Sequence, residues 1–448
     1  MKIKLVQPRM TLRPMDSEFK RLMAPSLALL ILAALTPPEH ELIFEDENAG
    51  RVYLLDSPGL VAITVNVDTS ARAWSIADSY RSRGIPVVAG GIHASADPSG
   101  ALQHVDAVCI GEAEGVWEQI VRDAVNGSLQ RVYRSQATAP VEDSPIPRWD
   151  LLQKNRYLYT NTVCASRGCP HSCEFCYNSC AYVRHGTVNR PVENVIREIE
   201  SLGTKHVLFI DDNFIGDIPW TERFLSAIRP LGLTWNAAVS ADLVHHPRLL
   251  DTMKECGCRS LFIGFESINP LSISSVGKSQ NNTAMYETLI SMVHDREIMV
   301  NSSLVLGLDH DTPSVFRDTL DWLVENRIET MTAHILTPYP GTRLYERMLT
   351  EGRIVDFDCT HYNTSRAVFL PRNMTQEQLE QGYLWMYREF YSFKNIRRRM
   401  PLAPSLQAPY LLFNLVYRKF GKAASRLAML GLMGRMGGLL RRLSYNIE

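Results

Sequence analysis

Residues 164–177 read CASRGCPHSCEFCY and place four of the chain's nine cysteines within fourteen positions. Cys169, Cys173 and Cys176 among them form a C-x3-C-x2-C motif. A structural zinc site needs four protein ligands, usually supplied by paired C-x2-C elements. No second pair of that kind follows, since Cys256 and Cys258 are too close together and fall at a helix end. Three thiolates on one tight loop suit instead a [4Fe-4S] cube with one iron left open. An open iron can take a substrate or a cofactor, which a structural site would not need. The start, MKIKLVQPRM, carries no cleavable signal peptide. The thiols are therefore expected in a cytoplasmic, reducing setting, where metal binding outranks disulfides.

The rest of the chain must position that loop. Its 448 residues imply two or three domains. Hydrophobic content of 45% with 21% charge is that of a globular protein. A net charge of -1 offers no bulk attraction to nucleic acid. The apolar run 27–35 is too short to span a bilayer and reads as a buried helix. Over residues 1–135, β-rich runs (KIKLVQP, HELIFEDEN, LVAITVNV, IPVVAGG, DAVCIGEAE) alternate with helical patterns such as ARAWSIADSYRSRG. That alternation implies an α/β, doubly wound, Rossmann-like parallel sheet, whose ligands bind beyond the strands' carboxyl ends. Residues 136–160, with Pro140, Pro145 and Pro147, read as a linker. From 161 to 350 six further strand runs, TNTVCAS to TMTAHILTPYP, predict an open, partial (β/α)6 barrel, a full eight-unit barrel needing about 250 residues. Residues 351–448 read as helical.

The C-x3-C-x2-C motif, with Phe175 before and Tyr177 after its last cysteine, resembles the signature of radical S-adenosylmethionine (SAM) enzymes. Four further stretches resemble that superfamily in the same order: FIDDNF (209–214), GFES (264–267), LVLGLDHDT (304–312) and TPYPGT (337–342). The resemblance implies that Cys169, Cys173 and Cys176 ligate the cluster and that SAM chelates the open iron. Cys164 and Cys180 stay outside the motif. It further implies that Asp211 and Asp212 face the methionine part of SAM and the substrate as catalytic groups. Phe175, Tyr177, Glu266, Ser267 and Gly307 become further SAM contacts. A strand-end Asp can also simply cap the following helix, and Glu266 can simply pair with a base.

The turns GGIHAS (90–95) and IGEAE (110–114), joined to such a barrel, resemble the cobalamin-binding class of the superfamily, which includes methyltransferases and anaerobic magnesium-protoporphyrin ester cyclases. Asn66, Thr69, Gly90, Gly91, His93, Gly111 and Glu112 are then the candidate corrin contacts. The D-x-H-x-x-G motif of many cobalamin proteins is missing. Cobalt would thus lack a protein imidazole, and His93 is a turn residue near the corrin. The implied chemistry is reductive cleavage of SAM to a 5′-deoxyadenosyl radical, hydrogen abstraction from an unactivated carbon, and methyl transfer. Oxidative cyclisation with the same cofactors is the alternative, and a cluster-bearing sensor is a third reading. An electron donor such as flavodoxin or ferredoxin is implied as a partner.

Between 397 and 442, ten Lys or Arg residues face a single acid, Glu448. Leu411, Leu412, Leu415 and Val416 fall on one helical stripe, followed by Arg418 and Lys419. Such a tail predicts peripheral contact with the inner membrane face and a hydrophobic lipid or tetrapyrrole substrate, or else a lid over the open end of the barrel.

Overall fold

A computed structural model describes residues 1–135, 144–183 and 186–427. Part of the expected linker and the basic residues Arg435, Arg441 and Arg442 lie outside them. Six strands, β1 (Lys2–Gln7), β2 (Glu41–Asp46), β3 (Leu60–Thr64), β4 (Val87–Gly90), β5 (Ala107–Ile110) and β6 (Val132–Arg134), form the first sheet. Every pairing is parallel and the order is β2-β1-β3-β4-β5-β6. Both faces of the sheet are covered, so its strands carry unbroken apolar runs; all four residues of β5 are buried. The order reverses between β1 and β3, which opens a crevice at the strands' carboxyl ends. Only β6 escapes the sequence reading, because three residues are too few to show a period.

The second sheet follows the chain without crossing: β7 (Thr162–Val163), then, after a small antiparallel pair β8 (Ser166–Arg167) and β9 (Val188–Asn189), the strands β10 (His206–Phe209), β11 (Thr234–Ser240), β12 (Cys258–Glu266), β13 (Met299–Leu306) and β14 (Thr330–Ile335). All are parallel, as the six-unit partial barrel predicts. Leu261, Ile263 and Phe265 of β12 point out into the helical shell and are fully buried. Their neighbours Ser260, Phe262 and Gly264 therefore point into the lumen. Cys256 caps a helix whereas Cys258 already opens β12, so the two do not share a helix end.

Six strands cannot close, and two edges are left to satisfy. On β14, the Tyr387 hydroxyl donates to the carbonyl of Ala333 at 3.0 Å and accepts from its N–H at 2.9 Å. The Tyr391 hydroxyl does the same for Met331 at 3.0 and 3.3 Å. The spacing matches: four helical residues rise about 6 Å and two strand residues about 6.6 Å. Arg13 adds a bond to Ala333 O at 3.4 Å. The segment 9–23, between β1 and the first helix, crosses the gap between β14 and β7. There Leu22 O and Met23 O accept from Leu158 N and Tyr159 N, both at 2.8 Å.

The C-terminal helices close the end of the barrel nearest the strands' amino termini. Arg418 lies within 5.2–5.9 Å of the ring centres of Tyr387, Tyr391, Phe413 and Tyr417 and 3.7 Å from Asp16. Arg399 is fully buried and donates to the carbonyls of Ile328, Glu329 and Phe390. Neither is free to meet a headgroup, which corrects the reading of Arg418 as a phosphate contact. Leu412 and Val416 face the lumen rather than outward. Arg397, Arg398, Lys419, Lys422 and Arg426 remain exposed. No helix among the described residues is long and apolar enough to cross a membrane.

Tyr387→Phe leaves the Ala333 N–H without its partner and its carbonyl with only the long Arg13 bond, and should lower stability by about 1–3 kcal/mol in urea unfolding. Tyr383→Phe, whose hydroxyl meets only Met15 Sδ at 3.4 Å, should cost less. Equal losses would show that the edge bonds carry no special weight.

Candidate active site

The cysteine loop follows β8 and is pinned from three sides. Asp211, at the end of β10, accepts from Ser166 N, from Ser166 Oγ at 2.6 Å and from Ala165 N at 3.3 Å. Asp212 accepts from Gly168 N at 3.0 Å. Beyond β12, Val276 O accepts from Glu174 N at 3.0 Å, and Arg347 of helix Arg343–Thr350 pairs with Glu174 at 3.1 Å. Burial pushes Asp211 up to about 6, partly opposed by its bonds to Ser166 and Ala165. The structure thus separates the two aspartates. Asp211 is buried, its carboxylate taken up by Ser166 and Ala165, whereas Asp212 is exposed at the barrel mouth.

Cys173 is buried, and Cys169 and Cys176 are half-buried. Burial raises the thiols of Cys169 and Cys176, the latter to about 12, and the neighbouring cysteines add to both shifts. Such thiols need a metal to hold them as thiolates. Among the described residues no group of three His, Cys, Asp or Glu side chains could hold a metal ion. Three thiols on one loop are the donor set that a [4Fe-4S] cube with one open iron takes. The donor set fits the cluster. Gln280 Nε2 lies 3.6 Å from Cys173 Sγ. Cys180 is fully buried, and the Cys164 thiol donates to Ser166 O at 3.0 Å.

Glu266 ends β12 in a left-handed conformation, φ 62°, that a non-glycine residue rarely adopts. Its carboxylate takes Lys278 Nζ at 2.8 Å and Ser303 Oγ at 3.3 Å. Burial would lower the Lys278 ammonium, but Glu266, Cys173 and Cys176 overcome it and leave it raised. Lys278 also lies 5.9 Å from the Phe175 ring centre, on the cluster side of the pair. Ser267 Oγ accepts from Asn269 N at 3.1 Å and fixes the next turn. Gly307, φ 88°, packs against the Leu379 side chain, and its left-handed backbone is what calls for glycine there. Tyr177 stacks on Tyr339 with ring centres 5.0 Å apart.

The carboxyl ends of the first sheet face this mouth. Arg167 of β8 pairs with Glu114 and reaches Glu112 at 3.7 Å. Tyr182 Oη donates to Ile92 O at 3.2 Å. Asn66 and Thr69 start the turn after β3, Gly90 and Gly91 end β4, and Gly111 and Glu112 follow β5. His93 is buried in the first turn of the short helix Ile92–Ala96 rather than in a turn, with Nε2 3.9 Å from Cys359 Sγ. Cobalamin fits this face on two observations. His93 Nδ1 is buried with no partner among the described residues. Gly91, φ 97°, keeps the strand end bare, since a Cβ there would meet Val65 O at 2.9 Å.

Lys278, Gln280, Arg167 and Cys359 escaped the sequence reading. Each is a lone residue with no spacing partner, and only the fold brings it to the mouth.

Alanine at Cys169, Cys173 or Cys176 should abolish the brown cluster absorbance, whereas Cys164→Ala and Cys180→Ala should leave it nearly intact. Asp211→Asn, which leaves one acceptor oxygen and sets an amide donor against the N–H of either Ala165 or Ser166, should reduce cluster loading although Asp211 touches no iron. Iron and sulfide analysis of reconstituted protein checks both, and full loading without Cys173 would contradict the ligand assignment.

A family model described as the radical SAM superfamily matches residues 163–323, and a domain of unknown function, DUF4070, matches 342–406. The chain is 30% identical over 389 residues to the bacteriochlorophyllide d C-12(1)-methyltransferase of Chlorobaculum tepidum, covering 84% of this chain and 85% of that one. The anaerobic magnesium-protoporphyrin IX monomethyl ester cyclase of Cereibacter sphaeroides is 23% identical, covering 76% of this chain and 60% of that one. Among solved structures, the radical SAM methyltransferase TsrM from Kitasatospora setae, with cobalamin and a [4Fe-4S] cluster bound, superposes with a TM-score of 0.62 at 17% identity, over 78% of this chain and 75% of that one. At that identity the likeness establishes the fold. The chain belongs to the radical SAM superfamily, as a relative of the bacteriochlorophyllide methyltransferases.

Proposed function

We propose that this enzyme is a cobalamin-dependent C-methyltransferase that acts on an unactivated carbon of a hydrophobic small molecule, with a tetrapyrrole as the leading class. The carrying observation is the juxtaposition of two strand-end faces: the cysteine mouth of the barrel meets the bare glycine turns of the first sheet through Arg167, Glu112 and Glu114. A methyl group carried on one face and a radical generated at the other must reach the same carbon, so the faces have to look at each other. When bound, the cluster supplies the electron that cleaves SAM, and cobalamin supplies the methyl carrier.

The chain's own residues do the positioning. Cys169, Cys173 and Cys176 hold the cluster, and Asp211 fixes the loop that carries them. Lys278, neutralised by Glu266, stands where a carboxylate of SAM could be met by an ammonium. Phe175 and the Tyr177–Tyr339 stack wall the mouth with rings and limit water. Asn66, Thr69, Gly90, Gly91, His93, Gly111 and Glu112 cradle the corrin. A flavodoxin or ferredoxin supplies the electron. Methyl transfer is favoured over cyclisation because the methyltransferase relative is both more similar and more fully covered than the cyclase. The interior placement of Arg399 and Arg418 favours the lid role of the C-terminal region over membrane contact.

Reconstituted protein with dithionite and SAM should release 5′-deoxyadenosine. With cobalamin and a tetrapyrrole acceptor it should also release S-adenosylhomocysteine, assayed by mass spectrometry. Deoxyadenosine accompanied by a cyclised product and no S-adenosylhomocysteine would transfer the assignment to the cyclase reaction; no deoxyadenosine from cluster-loaded protein would overturn it.

A further inference from the structure

At the end of β14 the barrel carries a donor with nothing to meet. Thr330 lines the lower lumen, so strand alternation turns Thr332 and His334 inward as well. His334 stands about 13 Å nearer the mouth than Thr330. It precedes by five residues Tyr339, whose ring stacks on Tyr177 of the cysteine loop. His334 Nδ1 lies 2.9 Å from Thr364 Oγ1 and 3.4 Å from Arg13 Nη1. A guanidinium can only donate, so Nδ1 accepts and the ring hydrogen sits on Nε2. Burial, with Arg13 and Lys20 nearby, pushes the ring down to about 3 and keeps it neutral. The Nε2–H meets no acceptor among the described residues, yet Nε2 is not sealed inside the protein.

Lys20 belongs to the short 3-10 helix Glu18–Lys20, in the segment that crosses the open side of the barrel. The charges of Arg13, Asp16, Arg418 and Asp68 all act on it. Asp16 is already engaged, 2.9 Å from Arg13 Nε and 3.7 Å from Arg418. Asp68, in the turn after β3, accepts from Thr11 N at 3.3 Å, and burial raises its carboxyl. Three cations thus share two carboxylates, and Lys20 is the one left over. Its ammonium has no hydrogen bond and no ion pair among the described residues, although the side chain is half-buried. Burial lowers the ammonium's pKa, and Arg13 lowers it further. A cation drawn out of water without a counter-ion is unfavourable, and an anion from outside the protein would relieve it.

We infer that Lys20 and His334 anchor a carboxylate of the acceptor on the β14 side of the mouth. The ammonium supplies the counter-charge and the Nε2–H a second donor, which match the one charge and two oxygens of a carboxylate. The anchor rests on the acceptor lying at the mouth, as proposed above. Full-length wild-type protein in mild detergent is titrated with protoporphyrin IX and with its dimethyl ester, and quenching of tryptophan fluorescence reads the binding. The free acid should bind at least about tenfold tighter, the effect of one charge-assisted hydrogen bond. Lys20→Met keeps the stem and removes the charge. It should weaken the free acid about tenfold and leave the ester unchanged. Hydroxocobalamin, whose tail carries a phosphate, should bind wild-type protein and Lys20→Met alike.

Equal binding of acid and ester by wild-type protein, or a preference that survives in folded Lys20→Met, would overturn the anchor. So would a loss of hydroxocobalamin affinity with the acid preference intact, which would assign Lys20 to the phosphate of the cobalamin tail. If Lys20→Met does not fold, His334→Phe removes the second donor in its place and must weaken the acid alone. A negative result here leaves SAM cleavage at the mouth untouched. Absence of 5′-deoxyadenosine from cluster-loaded protein that still prefers the acid would instead condemn the functional reading alone.

Discussion

An open barrel has two strand edges with nothing to pair, and much of this molecule is arranged to satisfy them. Eight strands would close on themselves, but six leave β7 and β14 with bare N–H and C=O groups at the margins of a reactive lumen. Burying them without partners is expensive, so side chains and backbone are recruited from both ends of the chain. Tyr387 and Tyr391 serve β14, and the segment 9–23 serves the β7 side. Because that segment leaves directly from β1, sealing the gap also ties the first sheet to the barrel. The same contacts bring the carboxyl ends of the two sheets face to face.

That docking explains the placement of charge. Arg13 and Asp16 form a pair at 2.9 Å in the seam, and Arg418 joins them from the C-terminal region. Two segments distant in sequence thus meet at one buried electrostatic knot. Aromatic rings surround Arg418, where its weakly hydrated guanidinium is more tolerable than an ammonium would be. Read as a linear string, the same arginine among leucines and tyrosines looks like a membrane-surface helix. Composition and helical period are identical in the two cases; only the residues opposite the face differ.

The parts legible in sequence were those whose signal is local. The C-x3-C-x2-C spacing, the strand-end motifs and the β/α alternation each lie within a few residues, and the strand count of the barrel followed from them. What remained hidden depends on contacts across long separations. Asp211 shares a motif with Asp212, yet just beyond β10 one is buried against Ser166 and the other is left exposed at the mouth. Lys278 and Gln280 come from the loop after β12, more than a hundred residues beyond the cysteines they approach. His93 belonged to a recognised glycine turn, but its burial against Cys359 depends on a segment from the far side of the barrel.

The account stands on an iron left open at the barrel mouth. The direct measurement is the electron paramagnetic resonance spectrum of the reduced, cluster-loaded full-length protein, recorded before and after SAM is added. Binding of SAM to the open iron predicts a clear change in the g values of the cluster signal. A fully reduced cluster whose spectrum is identical with and without saturating SAM would contradict the account.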